Sequence, residues 1–251
     1  MQTRLRGALS IVGREALRIV LPSWCVACEN ELPWRERTAS CCAACWSTLP
    51  KIETAKCRSC ALPLPAIAAQ TPEDERPLCA ACATAPLPLD WCDAWGHYRG
   101  ALERLLQALK FKRHDFLDGA LGGLLAETIS ARGDLAFDAI AAVPMARAKE
   151  RRRGYNQAEL LARALSLRSG IHCDMTLLTR RGERATQSTL PKAARAANVR
   201  GAFAASSRVK DTSILIVDDI CTTGETLRAC AAALRAAGAS RVCAISVAKA
   251  S

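Results

Sequence analysis

The residues best equipped for chemistry lie in "VDDICTTGET", residues 217–226, and in four C-x-x-C pairs near the N-terminus. Asp218 and Asp219 end an apolar run, Ile214–Val217, that reads as a buried strand. Cys221, Thr222, Thr223 and Gly224 then form a small-residue turn ahead of an Ala/Leu-rich helix. Such a turn offers unpaired backbone N–H groups at the positive end of a helix, which suits a phosphate. Thr222, Thr223 and Thr226 add hydroxyls, and Gly224 lets a ligand approach the backbone closely. Two carboxylates just before the turn can accept from a vicinal diol or hold Mg²⁺ through water. One ligand type uses all of these groups, a phosphorylated ribose. The alternatives for this stretch are solvated acids and a plain helix cap, and each on its own is common. Neither the P-loop pattern nor the G-x-G-x-x-G fingerprint is present here.

Nine of the fourteen cysteines fall within residues 25–82. Eight of them form the knuckles Cys25/Cys28, Cys42/Cys45, Cys57/Cys60 and Cys79/Cys82. Each knuckle sets two thiolates on one tight turn, and two knuckles complete the tetrahedral sulfur shell of structural zinc. The intervening stretches of 13 and 18 residues are close to zinc-site spacing. Four pairs in a row do not suit a thioredoxin-like redox site. A disulfide framework is the poorer reading for a chain without an export signal. Sequence leaves open whether one or two zinc ions bind. Sequential pairing of the knuckles is expected over interleaved. Cys41 adjoins Cys42 and could replace it, but the spacing to Cys45 favours Cys42. Cys92, Cys173, Cys221, Cys230 and Cys243 read as small apolar residues.

The elements that must position these groups follow from texture and periodicity. Residues 1–22 read as an amphipathic docking helix, because Arg14, Glu15 and Arg18 interrupt the apolar run needed for a secretory segment. No stretch reaches the roughly 18 apolar residues of a membrane span, so a cytoplasmic location is expected. A cysteine-rich module covers 23–88 and ends in the proline-rich "ALPLP" and "APLPLD" stretches. Residues 89–251 alternate strands ("CDAWGHY", "FDAIAAVP", "SILIVDD", "RVCAISVA") with helical patterns. That alternation predicts an α/β fold with a mainly parallel sheet flanked by helices. The formal net charge of +11 favours polyanionic partners, as phosphate, nucleic acid or an anionic surface, though a solvated basic surface gives the same total. Aromatic residues make up 4%, which argues against a broad base-stacking surface.

"VDDICTTGET" resembles the motif with which type I phosphoribosyltransferases bind 5-phosphoribosyl-1-pyrophosphate (PRPP). The wider chain resembles the ComF family, named for DNA uptake in competent bacteria, whose members join a zinc ribbon to a phosphoribosyltransferase domain. The likeness spans the knuckles, "RRRGYNQAELLARAL" (151–165), the scattered pattern across 180–203, and the 214–226 motif. It implies a double zinc ribbon ahead of a type I phosphoribosyltransferase-like sheet. It implies that Asp218 and Asp219 hold the ribose hydroxyls and that Thr222, Thr223, Gly224, Glu225 and Thr226 cradle the 5′-phosphate. Glu225 stands where relatives often carry a small residue, but its backbone N–H can still serve. "PMAR" (144–147) aligns with the pyrophosphate loop, with Arg147 a contact. The basic segment 180–200 resembles the hood, offering Arg180, Arg181 and Arg195 as catalytic groups, with Gln187 and Asn198 beside them.

Expulsion of pyrophosphate builds negative charge on the leaving group and positive charge on the sugar. Arginines and Mg²⁺ would stabilise the first, and a closed hood would protect the second from water. Arg151–Arg153 fit either a pyrophosphate cap or a nucleic-acid contact. The expected activity is Mg²⁺-dependent phosphoribosyl transfer to an acceptor that the sequence does not name, in DNA uptake or nucleotide metabolism. The alternative is a single-stranded DNA-binding uptake factor that uses PRPP as a ligand only. Ribbons that recruit DNA-uptake proteins or support a homodimer are a third reading.

Overall fold

The computed structural model describes residues 23–33, 40–65, 77–111, 117–133, 136–181 and 201–250. The docking helix expected over 1–22 lies outside these residues, as do Gln187, Arg195 and Asn198.

In the cysteine-rich module the knuckles pair sequentially. Cys25, Cys28, Cys42 and Cys45 form one tetrad, and Cys57, Cys60, Cys79 and Cys82 the other, with all sulfurs of a tetrad within 4.8 Å of one another. The second knuckle of each tetrad opens a short helix, α1 (Ala43–Ser47) after Cys42 and α2 (Ala80–Thr84) after Cys79. The Sγ atoms of Cys28 and Cys42 are 3.8 Å apart, and those of Cys60 and Cys79 are 3.7 Å apart. A tetrahedral zinc with Zn–S bonds of about 2.3 Å has sulfur–sulfur edges of about 3.8 Å, so both tetrads fit the ion.

Backbone amides favour thiolate in both clusters. Cys42 N donates to Cys25 Sγ and Cys79 N to Cys57 Sγ, each at 3.3 Å. Burial pushes the Cys25 thiol up, but the amides of Cys42, Cys28 and Ala27 outweigh it and bring the group down to about 6. Cys57 is brought down to about 4, chiefly by its hydrogen bond with Cys60 and then by amides. Cys41 stands outside the tetrad, and burial drives its thiol up to about 12.

The second module is built on four parallel strands in the order β1-β6-β5-β2. These are β1 (Trp91–His97), β2 (Ala139–Ala142), β5 (Ser213–Cys221) and β6 (Arg241–Lys249). Helices α3 (Gly100–Phe111) and α4 (Leu117–Arg132) connect β1 to β2. After β2 come α5 (Arg147–Arg153) and α6 (Gln157–Ser169), and α7 (Glu225–Ala236) joins β5 to β6. Strands β3 (Leu178–Arg180) and β4 (Phe203–Ala205) form a separate antiparallel pair, at the base of the segment read as a hood. Strand β5 lies between β6 and β2, with Val217 level with Ile245 on one side and Ala142 on the other.

Direction of travel fixes where helices go. The β1-to-β2 connection steps toward one edge of the sheet and β5-to-β6 toward the other, so right-handed crossovers place their helices on opposite faces. Accordingly α4 packs on β1 and β6 beside α6, which packs on β2 and β5, while α7 packs on β4, β5 and β6. The α4–α6 crossing is close, because a Cβ on Gly122 would stand 2.5 Å from the Ala164 Cβ. The reversal falls between β2 and β5. In open parallel sheets, a crevice opens at such a switch point beyond the carboxyl ends of the strands.

Two complete cysteine tetrads predict two zinc ions per chain by elemental analysis, and Cys57→Ser should bring the count to one. One ion in the wild type, or two in that variant, would contradict the sulfur geometry.

Candidate phosphoribosyl site

A cavity of about 270 Å³ occupies the crevice at the ends of β2 and β5. Its walls are the loop Val143–Ala146 with Lys149 on one side, Asp218 and Thr226 on another, and Arg180 from β3. Asn156 holds the loop in place. It is buried, its Nδ2 donates to Val143 O at 3.0 Å, and its Oδ1 accepts from Ala158 N at 3.1 Å to cap α6. The "RRRGYNQ" stretch therefore supplies a helix end, a turn and a cap that together shape the loop after β2.

The two acids have different surroundings. Successive strand residues point to opposite faces. Asp218 is half-buried and faces the cavity. Asp219 is buried, and its Oδ2 pairs with Lys110 Nζ on α3 at 2.7 Å. Burial, and then the charge of Asp219, hold the Asp218 carboxyl well above the ordinary carboxylate range. A cation or hydroxyl donors in the cavity would relieve that. Lys149 is shifted the other way, its ammonium disfavoured by partial burial and by neighbouring Arg153 and Lys110. An anion beside it would reverse the shift.

The turn after β5 leads into α7 through Gly224, at φ +81. A side chain there would be strained, and its Cβ would meet Leu87 Cδ1 at 2.9 Å. Thr222 and Thr223 are exposed, and Arg228 N closes the first helical turn on Gly224 O at 2.8 Å. Glu225 points along the helix to Arg228, Oε1 to Nε 3.4 Å. From below, buried Lys249 donates to Thr222 O and lies 3.8 Å from Cys221 Sγ. The Cys92 thiol, and then Lys249, bring Cys221 down to about 7, but it is buried away from the cavity.

Of the residues singled out by sequence, Asp218, Thr226 and Arg180 line the cavity together. Arg147 is exposed at the start of α5, and Lys149 lines the cavity instead. Arg181 is turned to a separate groove between β4 and α7, with Glu225 and Arg228 at its rim. Arg195 lies outside the described residues. Lys110, Lys149 and the role of Asn156 escaped the sequence reading. The Asn before an apolar helical run was a usable capping signal, but the lysines carried none.

Comparison with known protein families agrees with this architecture. Residues 151–251 match the phosphoribosyl transferase domain family, and residues 16–83 match the double zinc ribbon domain family. The DNA utilization protein YhgH of Escherichia coli K12 is 32% identical over 207 residues, 80% of this chain and 86% of that protein. Competence protein F of Haemophilus influenzae is 31% identical over 154 residues, 59% of this chain and 67% of that protein. Among solved structures, a glutamine PRPP amidotransferase from B. subtilis superposes with a TM-score of 0.39 at 19% identity, over 56% of this chain and 30% of that one. Among the described residues no helix is long and apolar enough to cross a membrane. The chain belongs to the family of DNA utilization protein YhgH and competence protein F, with a double zinc ribbon joined to a phosphoribosyltransferase-type α/β domain.

Proposed function

We propose that the chain binds PRPP at the carboxyl ends of β2 and β5 and transfers its phosphoribosyl group to an acceptor, in the service of DNA utilization. The observation that carries this reading is the cavity wall itself. It brings Asp218 of β5 and Thr226 in the first turn of α7 into one cavity with Lys149 and Arg180. In this reading the turn 222–226 seats the 5′-phosphate, and Asp218 accepts from the ribose hydroxyls. The loop 143–146, with Lys149 and Arg180, faces the pyrophosphate. A half-buried carboxylate whose charged form lacks compensation is a fitting donor for Mg²⁺ through water. When bound, the ion would supply charge neutralisation at the pyrophosphate. The cations then stabilise the charge that grows on the leaving group.

Asp219 acts as a positioning group through Lys110. The two acids should therefore separate on mutation. Calorimetry with Mg²⁺ and PRPP should show Asp218→Asn weakening binding by about tenfold or more, one charge-assisted contact being lost. Asp219→Asn should instead lower the unfolding free energy by about 1–3 kcal/mol. Unchanged PRPP affinity in Asp218→Asn would remove the assignment.

The raised Asp218 carboxyl also predicts a proton signature. It holds its proton more tightly than an ordinary carboxyl and must ionise to accept from the ribose or to hold Mg²⁺, so this group gives up protons on binding. Affinity should thus rise with pH until Asp218 is ionised in the free protein. Lys149 acts in the opposite sense, taking up protons when an anion binds. Calorimetry in buffers of differing ionisation enthalpy should therefore show more proton release, or less uptake, for the wild type than for Asp218→Asn. The same proton balance in both proteins would contradict the assigned role.

A second reading is favoured by one exposed aromatic. Trp24 adjoins the first knuckle, stands 60% exposed, and sits in a chain of net charge +11. Such a residue can stack on an unpaired base, worth about 1–3 kcal/mol. Binding of single-stranded DNA should fall steeply with salt, and Trp24→Ala should weaken it about tenfold. Absent or salt-independent binding would exclude this contact.

A further inference from the structure

The turn that seats the phosphate in the reading above is fastened, residue by residue, to the second zinc ribbon. Gly224 packs against Leu87, so closely that an added Cβ would meet Leu87 Cδ1. Leu87 belongs to the small apolar cluster formed by the four ligands Cys57, Cys60, Cys79 and Cys82. Its amide donates to the Oγ of buried Ser59 at 2.8 Å, and Ser59 lies between two of those ligands. One turn into α7, Arg228 places both terminal nitrogens on consecutive carbonyls of the same linker. Nη1 donates to Pro86 O and Nη2 to Ala85 O, each at 2.8 Å. At the other end of the turn, Cys221 Sγ lies 3.6 Å from the carbonyl of the ligand Cys60. The first ribbon is fastened elsewhere, with Arg104 of α3 donating to Ala27 O.

A phosphate seat made of backbone amides depends on their convergence. A loose turn must be ordered at the moment of binding, and that cost comes out of affinity. A glycine-containing turn has little internal rigidity of its own. Here the rigidity comes from outside the turn, from three contacts to the second ribbon: the Cys60 carbonyl, Leu87 hydrogen-bonded to Ser59 beside Cys60, and the Ala85 and Pro86 carbonyls just beyond Cys82.

We propose that the second zinc ribbon is a working part of the phosphate seat, holding residues 221–226 in their binding shape through Leu87, Arg228 and Cys60. The proposal rests on the PRPP reading for what the seat receives, but not for the buttressing itself. Leu87, Arg228 and the Cys60 carbonyl are positioning groups, because none of them lines the cavity with Asp218. Closure of the tetrad by zinc fixes the knuckle that presents Ser59 and the Cys60 carbonyl.

The test uses the full chain and two readouts. Hydrogen exchange at the amides of 222–226 reports the turn without any ligand, and calorimetry with Mg²⁺ and PRPP reports the seat. Leu87→Ala and Arg228→Ala should each speed exchange at 222–226 by about tenfold and weaken PRPP binding by a similar factor. Exchange in the core segments 214–217 and 242–248 should stay unchanged. Arg228→Lys, which can still reach one of the two carbonyls, should recover part of the loss. Arg104→Ala, which removes the hydrogen bond from α3 to the first ribbon, should leave 222–226 as in the wild type. Wild-type exchange at 222–226 in both Leu87→Ala and Arg228→Ala would overturn the proposal. So would a rise spread equally over the core segments, which would mean general destabilisation. If the turn loosens locally but the wild type takes up no PRPP, the buttress stands and the assignment of PRPP to the seat fails.

Discussion

Strand β5 imposes the constraint on which the rest depends. It is hydrogen-bonded along both edges, to β6 and to β2, and Ile214–Val217 are buried on both faces. Polar side chains cannot enter such a segment without partners, so the first acids appear where the sheet ends. There the pleat sends them opposite ways. Asp219 is received by Lys110, and the pair keeps a carboxylate in a buried position. Among the described residues Asp218 has no such cation paired with it, and its charged form is disfavoured. A strand built only for stability would not end this way. The unrelieved acid stands where the topology opens a crevice between β2 and β5.

Much of this was legible because the signals are local. Four C-x-x-C turns name a zinc module whatever the rest of the chain does, and the sequential pairing follows from short connections. The runs 214–217 and 242–248 are apolar enough to be strands and too short to be free helices. Other features depend on distant partners and left no trace. The β3–β4 pair has three residues per strand and joins segments from either end of a long basic stretch. Its alternation divides two adjacent arginines that look equivalent in sequence. Arg180 lines the cavity and Arg181 lines the groove beside α7. Lys110 and Lys149 look like ordinary helix-surface lysines until α3 and α5 converge on β5.

The proline-rich stretches around residue 88 suggest a tether between two modules, yet the contacts across it are those of a common core. Buried Asp93 of β1 pairs with Lys56 of the ribbon and, at 3.1 Å, with Arg132 of α4. Arg132 also lies 4.2 Å from the centre of the Trp91 ring. Removing one partner of such a buried group costs about 3–5 kcal/mol, since the remaining charges lose their compensation. The nearby Lys51–Glu127 pair, at 2.6 Å, is about half exposed and contributes little by comparison. The ribbon is thus held by a buried charge cluster at one end of β1 and by the Leu87 contacts at the end of β5. A module fixed at two points cannot swing independently.

The balance of charge around the cavity bears on what it receives. One wall carries an acid whose ionisation is opposed, and the other carries Lys149, whose protonation is opposed by burial and by Arg153 and Lys110. Each group alone would be relieved by losing its charge, and the free protein moves both that way. A ligand that is wholly anionic relieves only the lysine, while a free metal ion relieves only the acid. Both are satisfied together by a molecule with anionic groups at its ends and hydroxyls or a chelated cation between them.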